Sequence, residues 1–153
     1  VAYSPDGSRI VTASGDGSAI VWYVGTGTQV ATLVGHMGNV WSVAYSPDGS
    51  RIVTGGDDGS AIVWDAGTDT QVATLVGHTG SVLSVAYSPD GSRIVTASDD
   101  GSAIVWDAGT DTQVATLVGH TSGVLSVAYS PDGGRIVTAG VDNSAIVWDA
   151  TAL

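Results

Sequence analysis

The sequence repeats itself at a fixed interval of 42 residues. The segment VAYSPDG begins at Val1, Val43, Val85 and Val127, with no insertion or deletion between copies. Three complete units occupy residues 1–42, 43–84 and 85–126, and a partial fourth unit, 127–153, lacks the last 15 residues. A repeat of this length is typical of folds in which one supersecondary unit stacks on the next, so we treat 1–153 as a single domain. The near-identity of the units indicates either recent amplification or deliberate design.

Each unit is predicted to contain four β-strands, here called a, b, c and d in chain order. In the second unit they are residues 40–45, 51–54, 60–64 and 71–76, which are rich in β-branched and aromatic residues. The strands are separated by turn formers such as Ser46-Pro47-Asp48-Gly49 and Asp57-Asp58-Gly59. No helical period is present, so the fold class is predicted to be all-β.

Charge narrows the classes of partner. The net charge is −11, from 15 acidic and four basic residues. Nucleic-acid binding depends on Lys and Arg that neutralise phosphates, so nucleic acid and anionic membranes are disfavoured as partners. No apolar segment approaches the roughly 20 residues of a membrane helix, and no signal peptide is visible, so we expect a cytoplasmic location.

Two short motifs recur in one register along the chain. Gly-His precedes strand a, and Trp-Asp ends strand c except in the first unit, which has Trp22-Tyr23. The motifs are Gly35-His36, Gly77-His78, Gly119-His120, Trp64-Asp65, Trp106-Asp107 and Trp148-Asp149. With these marks the whole chain resembles the WD40 (WD-repeat) family. The resemblance implies a β-propeller of four-stranded antiparallel blades, of which this chain supplies about four, the last without its outer strand.

The resemblance also implies a structural hydrogen-bond network in each blade. The network joins a His before strand a, a Thr on strand b, an Asp in the b–c turn and the Trp on strand c. The matching residues are His36, Thr54, Asp58, Trp64, His78, Thr96, Asp100, Trp106, His120, Thr138, Asp142 and Trp148. The first unit has Thr12, Asp16 and Trp22 but no His in that register.

Other interpretations of these polar residues are weaker. A Thr-His-Asp catalytic triad would have to occur three times in the register of a structural network. The three His lie on separate units rather than at metal-ligand spacing, and Asp57-Asp58-Gly59 lacks the pattern of a calcium loop. We therefore predict no catalytic residues, no cofactor and no bound metal.

A partner-binding surface is implied on the face that carries the d–a and b–c loops, here called the loop face. The residues carried over from the family are Asn39, Trp41, Asp57, Ser81, Leu83, Asp99, Leu125 and Val141, together with Gly15 and Gly123. This set varies more between units than the strands do. Trp41 replaces a Leu of the other units and is a plausible interface anchor. The alternative is that Trp41 and the two Leu only line the central channel.

The favoured hypothesis is a non-enzymatic protein-interaction scaffold. Because an open arc of blades exposes two apolar faces, we expect two chains to pair as a homodimer and close an eight-bladed ring. The alternative is a purely structural propeller segment with no ligand, which the near-identical units favour. An enzyme or a carbohydrate-binding propeller is the weakest hypothesis.

Overall fold

The computed structural model describes all residues, 1–153, as four antiparallel sheets that follow one another along the chain. The first blade contains β1 (Ala2–Tyr3), β2 (Arg9–Ala13), β3 (Ser18–Tyr23) and β4 (Gln29–Val34). The second contains β5 (Val40–Tyr45), β6 (Arg51–Gly56), β7 (Ser60–Asp65) and β8 (Thr70–Val76). The third contains β9 (Val82–Tyr87), β10 (Arg93–Ser98), β11 (Ser102–Asp107) and β12 (Thr112–Val118). The fourth contains β13 (Val124–Tyr129), β14 (Arg135–Gly140) and β15 (Ala145–Asp149).

Strand order within each sheet is the order of the chain, so each blade is a meander of neighbouring antiparallel strands. The predicted all-β fold of four-stranded blades, with a last blade of three strands, is confirmed. Turns form where the sequence predicts them. At the a–b turn of the second blade, Gly49 adopts a φ of 75°, which a residue with a side chain rarely adopts.

Every complete blade has two apolar faces because side chains alternate across its strands. One face, here called the valine face, carries Val11, Ala19, Val21 and Leu33 in the first blade and their equivalents in the others. The opposite face, here called the tryptophan face, carries Ile52, Thr54, Ile62 and Trp64 in the second blade and their equivalents in the others. The valine face of each blade and the tryptophan face of the next form one buried cluster, and this arrangement occurs three times along the chain.

The two end blades leave one face each without a neighbour. In the first blade Trp22, on the tryptophan face, is half-buried, whereas the equivalent Trp64 is buried. In the fourth blade Val147, on the valine face, is 66% exposed, whereas the equivalent Val105 is 0% exposed. The chain is therefore an arc of blades with complementary apolar ends.

The chain forms no helix with the length and apolar character needed to cross a membrane.

Candidate functional site

The third blade shows how the recurring polar residues fit together. The indole Nε1 of Trp106 donates to Oγ1 of Thr96 at 3.0 Å, and Nε2 of His78 lies 2.8 Å from the same oxygen. The other ring nitrogen of His78, Nδ1, lies 2.8 Å from Oδ2 of Asp100. Because the carboxylate can only accept, Nδ1 carries a proton and donates it to Asp100. The set ties strand b, strand c, the b–c turn and the d–a loop together.

The second and fourth blades repeat this geometry. His36 Nε2 lies 2.8 Å from Thr54 Oγ1, and Trp64 donates to that oxygen at 3.0 Å. In the fourth blade the corresponding distances are 2.8 Å from His120 to Thr138 and 2.9 Å from Trp148 to Thr138. The ring nitrogen Nδ1 lies 3.0 Å from Asp58 in one blade and 2.9 Å from Asp142 in the other. All twelve network residues named from the sequence are thus brought together in three sets of four.

The carboxylates of these sets are held in their ionised form. Burial of Asp58 opposes ionisation, but hydrogen bonds from the Met37 amide and from the hydroxyl and amide of Ser60 outweigh it and lower the pKa of Asp58. Burial also opposes ionisation of Asp100, whose pKa is lowered by hydrogen bonds from the Ser102 hydroxyl and from His78. The negative charge of each Asp therefore stabilises a fixed loop geometry.

The order Asp, His, Thr resembles a catalytic triad in its distances but not in its surroundings. The nucleophile of a triad must reach a substrate. Thr96 is 0% exposed, and its hydroxyl oxygen already accepts the indole N–H of Trp106. This hydroxyl is placed to bridge His78 and Trp106, which favours the structural interpretation.

The first blade has only part of the network. Trp22 Nε1 donates to Thr12 Oγ1 at 2.9 Å, as in the other blades. No His contacts Thr12, and the carboxylate of Asp16 accepts hydrogen bonds from the amide and hydroxyl of Ser18 within its own turn. In this blade the bond between Trp22 and Thr12 therefore forms without a histidine.

The loop face is built from paired loops. Within each of three blades a backbone amide of the b–c loop donates to a carbonyl of the d–a loop. These bonds join Asp57 to Asn39 at 2.9 Å, Asp99 to Ser81 at 3.0 Å and Val141 to Gly123 at 2.8 Å. The sequence-predicted loop-face residues therefore lie side by side in pairs, each pair fixed by backbone rather than by flexible side chains.

Asp57 connects two blades on this face. Its Oδ1 accepts the indole N–H of Trp41 in the same blade and, at 3.1 Å, the hydroxyl of Ser81 in the next blade. Its Oδ2 accepts the amide of Asn39 at 3.3 Å. The bond from Trp41 contributes most to lowering the pKa of Asp57, and burial opposes it only partly. The structure thus brings together four residues named from the sequence, Asn39, Trp41, Asp57 and Ser81.

The remaining loop-face residues do not form a similar cluster. Leu83 stands where the second blade has Trp41 and is half-buried, and Asp99 is exposed beside the third-blade loop. Leu125 and Val141, in the fourth blade, are exposed apolar residues, and Val141 stands where the other blades have Asp57 and Asp99. Gly123 is buried, and Gly15 lies against the side chain of Asn39.

One exposed residue of the loop face was missed by the sequence reasoning. Met37 lies in the d–a loop that also contains Asn39, and it is among the most exposed apolar residues of the chain. The signal was present, because the other complete units have Thr79 and Thr121 at this position. Met37, Asn39 and Trp41 together make the loop face of the second blade unlike that of its neighbours.

The opposite side of the arc carries the a–b turns. In the second blade, Oδ1 of Asp48 accepts hydrogen bonds from the hydroxyls of Ser46 at 2.6 Å and Ser50 at 2.8 Å. These bonds, led by that from Ser46, lower the pKa of Asp48 to about 2. The equivalent Asp6 and Asp90 have the same environment and pKa values of about 2.

No group of three or more His, Cys, Asp or Glu side chains is arranged to hold a metal ion. The oxygens of Asp58, Asp100 and Asp142 accept hydrogen bonds from the protein itself.

Comparison with known proteins gives a match to one family. The family model described as WD domain, G-beta repeat matches residues 1–23, 27–65, 69–107 and 111–149, and each match ends with the third strand of a blade. A search of the curated proteins finds no match.

Proposed function

Because the chain belongs to the WD-repeat family, whose repeats build protein-interaction scaffolds, we propose that it is a non-enzymatic scaffold that holds a partner on its loop face. The observation that carries this proposal is the exposed indole of Trp41. It is 53% exposed, yet its N–H is fixed by Asp57. A rigid, exposed aromatic side chain loses little conformational entropy when a partner covers it, which is the property of an interface anchor.

The charge of the surroundings favours a basic partner. Asp57, Asp58 and Asp99 lie on or beside the loop face, and the chain as a whole carries a net charge of −11. Such a field accelerates association with positively charged partners and slows association with acidic ones. We propose a peptide or protein segment that combines a basic residue with an apolar group covering Trp41.

A variant that copies the neighbouring units tests this proposal. Trp41→Leu gives the second blade the residue that the other blades carry at Leu83 and Leu125, so the fold is expected to persist. Peptides are selected from a displayed random library on the wild-type chain and then titrated against the variant. We expect at least a tenfold loss of affinity for Trp41→Leu and no loss for Val72→Ala, which alters an exposed residue of an outer strand. If the selected peptides bound Trp41→Leu and Val72→Ala with equal affinity, the binding surface would lie elsewhere.

The proposal that the scaffold has no catalytic activity is supported by the state of its candidate nucleophiles. Thr54 and Thr96 are fully buried and Thr138 is nearly so, and each accepts a Trp indole N–H. A substrate could reach these hydroxyls only if the blades separated.

We further propose that two chains associate end to end. The observation that favours this is the complementarity of the exposed ends. The first blade exposes a tryptophan face with Ile10, Ile20 and Trp22, and the fourth blade exposes a valine face with Val137 and Val147. The same two kinds of face already pack against each other at three places inside the chain.

The contact between chains would be head to tail, because each end differs from the other. Such contacts give a closed ring when the rotation per blade divides a full turn, and two chains of four blades give eight blades. The backbone supports the same alignment. The amide of Val85 donates to the hydroxyl of Ser42 at 3.1 Å, and the amide of Val127 donates to that of Ser84 at 3.3 Å. By the same 42-residue spacing, the hydroxyl of the exposed Ser126 would accept a hydrogen bond from the backbone nitrogen of Val1 in the second chain.

Variants of the two ends test the head-to-tail contact. Ile20→Asp places a charge on the tryptophan face of the first blade, and Val147→Asp places one on the valine face of the fourth. Each variant alone would be unable to close either junction, because every junction uses one face of each kind. An equal mixture restores one wild-type junction, so sedimentation should detect a heterodimer that neither variant forms alone. Variants that keep the association state of the wild type would contradict the contact.

A further inference from the structure

We propose that the cavity between the first and second blades, on the side of the a–b turns, binds a small ligand with one carboxylate and two cationic groups, the chemistry of a free basic amino acid. This cavity, here called the turn groove, has a volume of about 610 Å³, which is within the range of small-molecule sites. None of the residues named for the loop face lines it. Its charged and aromatic lining residues are Asp6, Arg9, Tyr23, Tyr45, Asp48 and Asp65.

Arg9 is the cation of the turn groove, and it has no carboxylate partner on its own blade. In the third blade the equivalent Arg93 pairs with Asp107 at 2.7 Å. The first blade has Tyr23 in place of that Asp, directly opposite Arg9 on the neighbouring strand. The guanidinium of Arg9 lies over the ring of Tyr23, 5.2 Å from its centre, and donates across the blade boundary to the carbonyl of Ala66 at 3.4 Å. Its other N–H donors have no partner in the protein, and a planar guanidinium binds a carboxylate through two parallel hydrogen bonds.

The hydroxyl of Tyr45 is a second donor without a partner. Tyr45 packs against the hydrophobic cluster between the first two blades, and its buried hydroxyl makes no hydrogen bond within the protein. Burial raises the pKa of Tyr45, and the nearby positive charge of Arg9 acts in the opposite direction. The hydroxyl therefore keeps its proton at neutral pH, and a carboxylate that enters beside Arg9 is the acceptor that it lacks.

Three carboxylates supply the opposite charge. Asp6 and Asp48 lie in the a–b turns of the first and second blades, and Asp65 ends β7. In each of them Oδ1 accepts hydrogen bonds from the adjoining turn, whereas Oδ2 accepts none in the protein. Three carboxylates around the single guanidinium of Arg9 leave two negative charges of the turn groove unbalanced.

The class of ligand follows from this distribution of charge. A simple anion would bind Arg9 but would also meet three like charges, which is costly. A diamine would satisfy the carboxylates but leave the donors of Arg9 and Tyr45 without an acceptor. A basic amino acid carries one carboxylate for Arg9 and two cationic groups for the Oδ2 atoms, so it balances the charge of the turn groove and satisfies its donors.

The equivalent grooves between the other blades are less suited to a ligand carboxylate. Between the second and third blades the cation is Arg51, which has Asp65 directly opposite it on the neighbouring strand. Between the third and fourth blades the cation is Arg93, which is already paired with Asp107. We therefore expect one ligand for each chain.

The test is a titration of the isotopically labelled full-length chain with L-lysine, followed by NMR at Arg9 and Tyr23. An ionic strength of about 0.15 M screens non-specific attraction to the acidic surface. The resonances should shift saturably, with one lysine for each chain. Two analogues separate the contributions, because cadaverine lacks the carboxylate of lysine and aminocaproate lacks its α-ammonium group. Each analogue should bind at least fivefold more weakly than lysine.

Protein variants locate the binding at the turn groove. Tyr23→Asp gives the first blade the residue of the other units and places a carboxylate opposite Arg9, so the fold is expected to persist and the affinity for lysine to fall at least tenfold. Arg9→Gln removes the guanidinium and should have the same effect. Arg135→Gln is the matched control, because it alters the equivalent arginine of the fourth blade, and Trp41→Leu alters only the loop face. Both should bind lysine as the wild type does.

Three results would overturn the proposal. The first is the absence of saturable shifts when lysine is added to the wild type. The second is wild-type affinity in Tyr23→Asp or Arg9→Gln, which would show that lysine is held outside the turn groove. The third is an analogue that binds as tightly as lysine, because the ligand would then not need both kinds of charge.

Discussion

Thr96 receives the indole N–H of Trp106 at 3.0 Å and lies 2.8 Å from Nε2 of His78. One buried hydroxyl therefore links strand b to strand c and to the loop that enters the blade. A buried polar group of this kind is stabilising only while its partners are present.

Removal of His78 should destabilise the chain. In His78→Ala the hydroxyl of Thr96 and the carboxylate of Asp100 lose a partner inside the protein. We expect the free energy of unfolding to fall by about 1–3 kcal/mol, measured by urea denaturation. Thr79→Ala is the matched control, because only the backbone amide of Thr79 bonds to Asp100. If His78→Ala and Thr79→Ala were equally stable, the network would not have the structural role assigned to it.

The cost of losing the Thr hydroxyl should depend on the blade. Thr96→Val leaves Nε2 of His78 and Nε1 of Trp106 without a partner, whereas Thr12→Val affects only Trp22, since no His contacts Thr12. We expect Thr96→Val to reduce the free energy of unfolding more than Thr12→Val by about 1 kcal/mol. Thermal denaturation of the two variants side by side provides the comparison. A larger effect at Thr12 is the opposite of what the geometry requires.

Stability should decrease in acid. Hydrogen bonds from Ser46 and Ser50 lower the pKa of Asp48 to about 2, below the value of about 3.9 in an unfolded chain. The folded chain thus binds the proton of Asp48 more weakly than the unfolded chain does. The contribution of ionised Asp48 to stability is therefore present above about pH 4 and is lost as the pH falls towards 2.

Carboxyl titration by NMR provides the direct measurement of this effect. Asp6, Asp48 and Asp90 should all titrate near pH 2. Ser50→Ala removes one exposed donor to Asp48 and should raise the pKa of Asp48 while leaving Asp90 unchanged. A wild-type Asp48 that titrates near 3.9, the ordinary value of an Asp side chain, would contradict the arrangement of the a–b turn.

Chelation should leave the protein unaffected. The carboxylates of Asp58, Asp100 and Asp142 already accept hydrogen bonds from backbone amides at 3.0 Å, and no cluster of ligands is arranged for a metal. Dialysis against EDTA should therefore not change the melting temperature, and elemental analysis should find no stoichiometric metal. A lower melting temperature that added divalent metal restores would reveal a structural ion.

Much of the fold could be predicted because the repeat carries it. Turn-forming residues such as Pro47, Asp48 and Gly49 indicate where the strands of one unit begin and end. The other three copies of the repeat show the same residues at the same spacing. The strand limits were less well defined. Strand b was predicted to end at Thr54 but continues to Gly56, because Gly56 still pairs with Val40 across a bulge. Pairing of this kind depends on the neighbouring strand and not on local sequence.

The loop face was predictable only in part. The residues could be carried over from the family, but their hydrogen bonds could not. Trp41 and Ser81 both donate to the carboxylate of Asp57, and these two bonds depend on the conformations of three loops in two blades. Periodicity does not encode these conformations. Likewise, the sequence indicates that blade faces are apolar, whereas the pairing of valine faces with tryptophan faces emerges only from the packing.

An arc with complementary ends is expected to close by pairing with a second copy, and the mass of the protein in solution tests this pairing. Light scattering coupled to size exclusion should give twice the 15.2 kDa of one chain over a wide range of concentration. That result corresponds to two chains and eight blades in one closed ring. A stable mass of 15.2 kDa at every concentration, or a series of ever larger polymers, would contradict the closed pair.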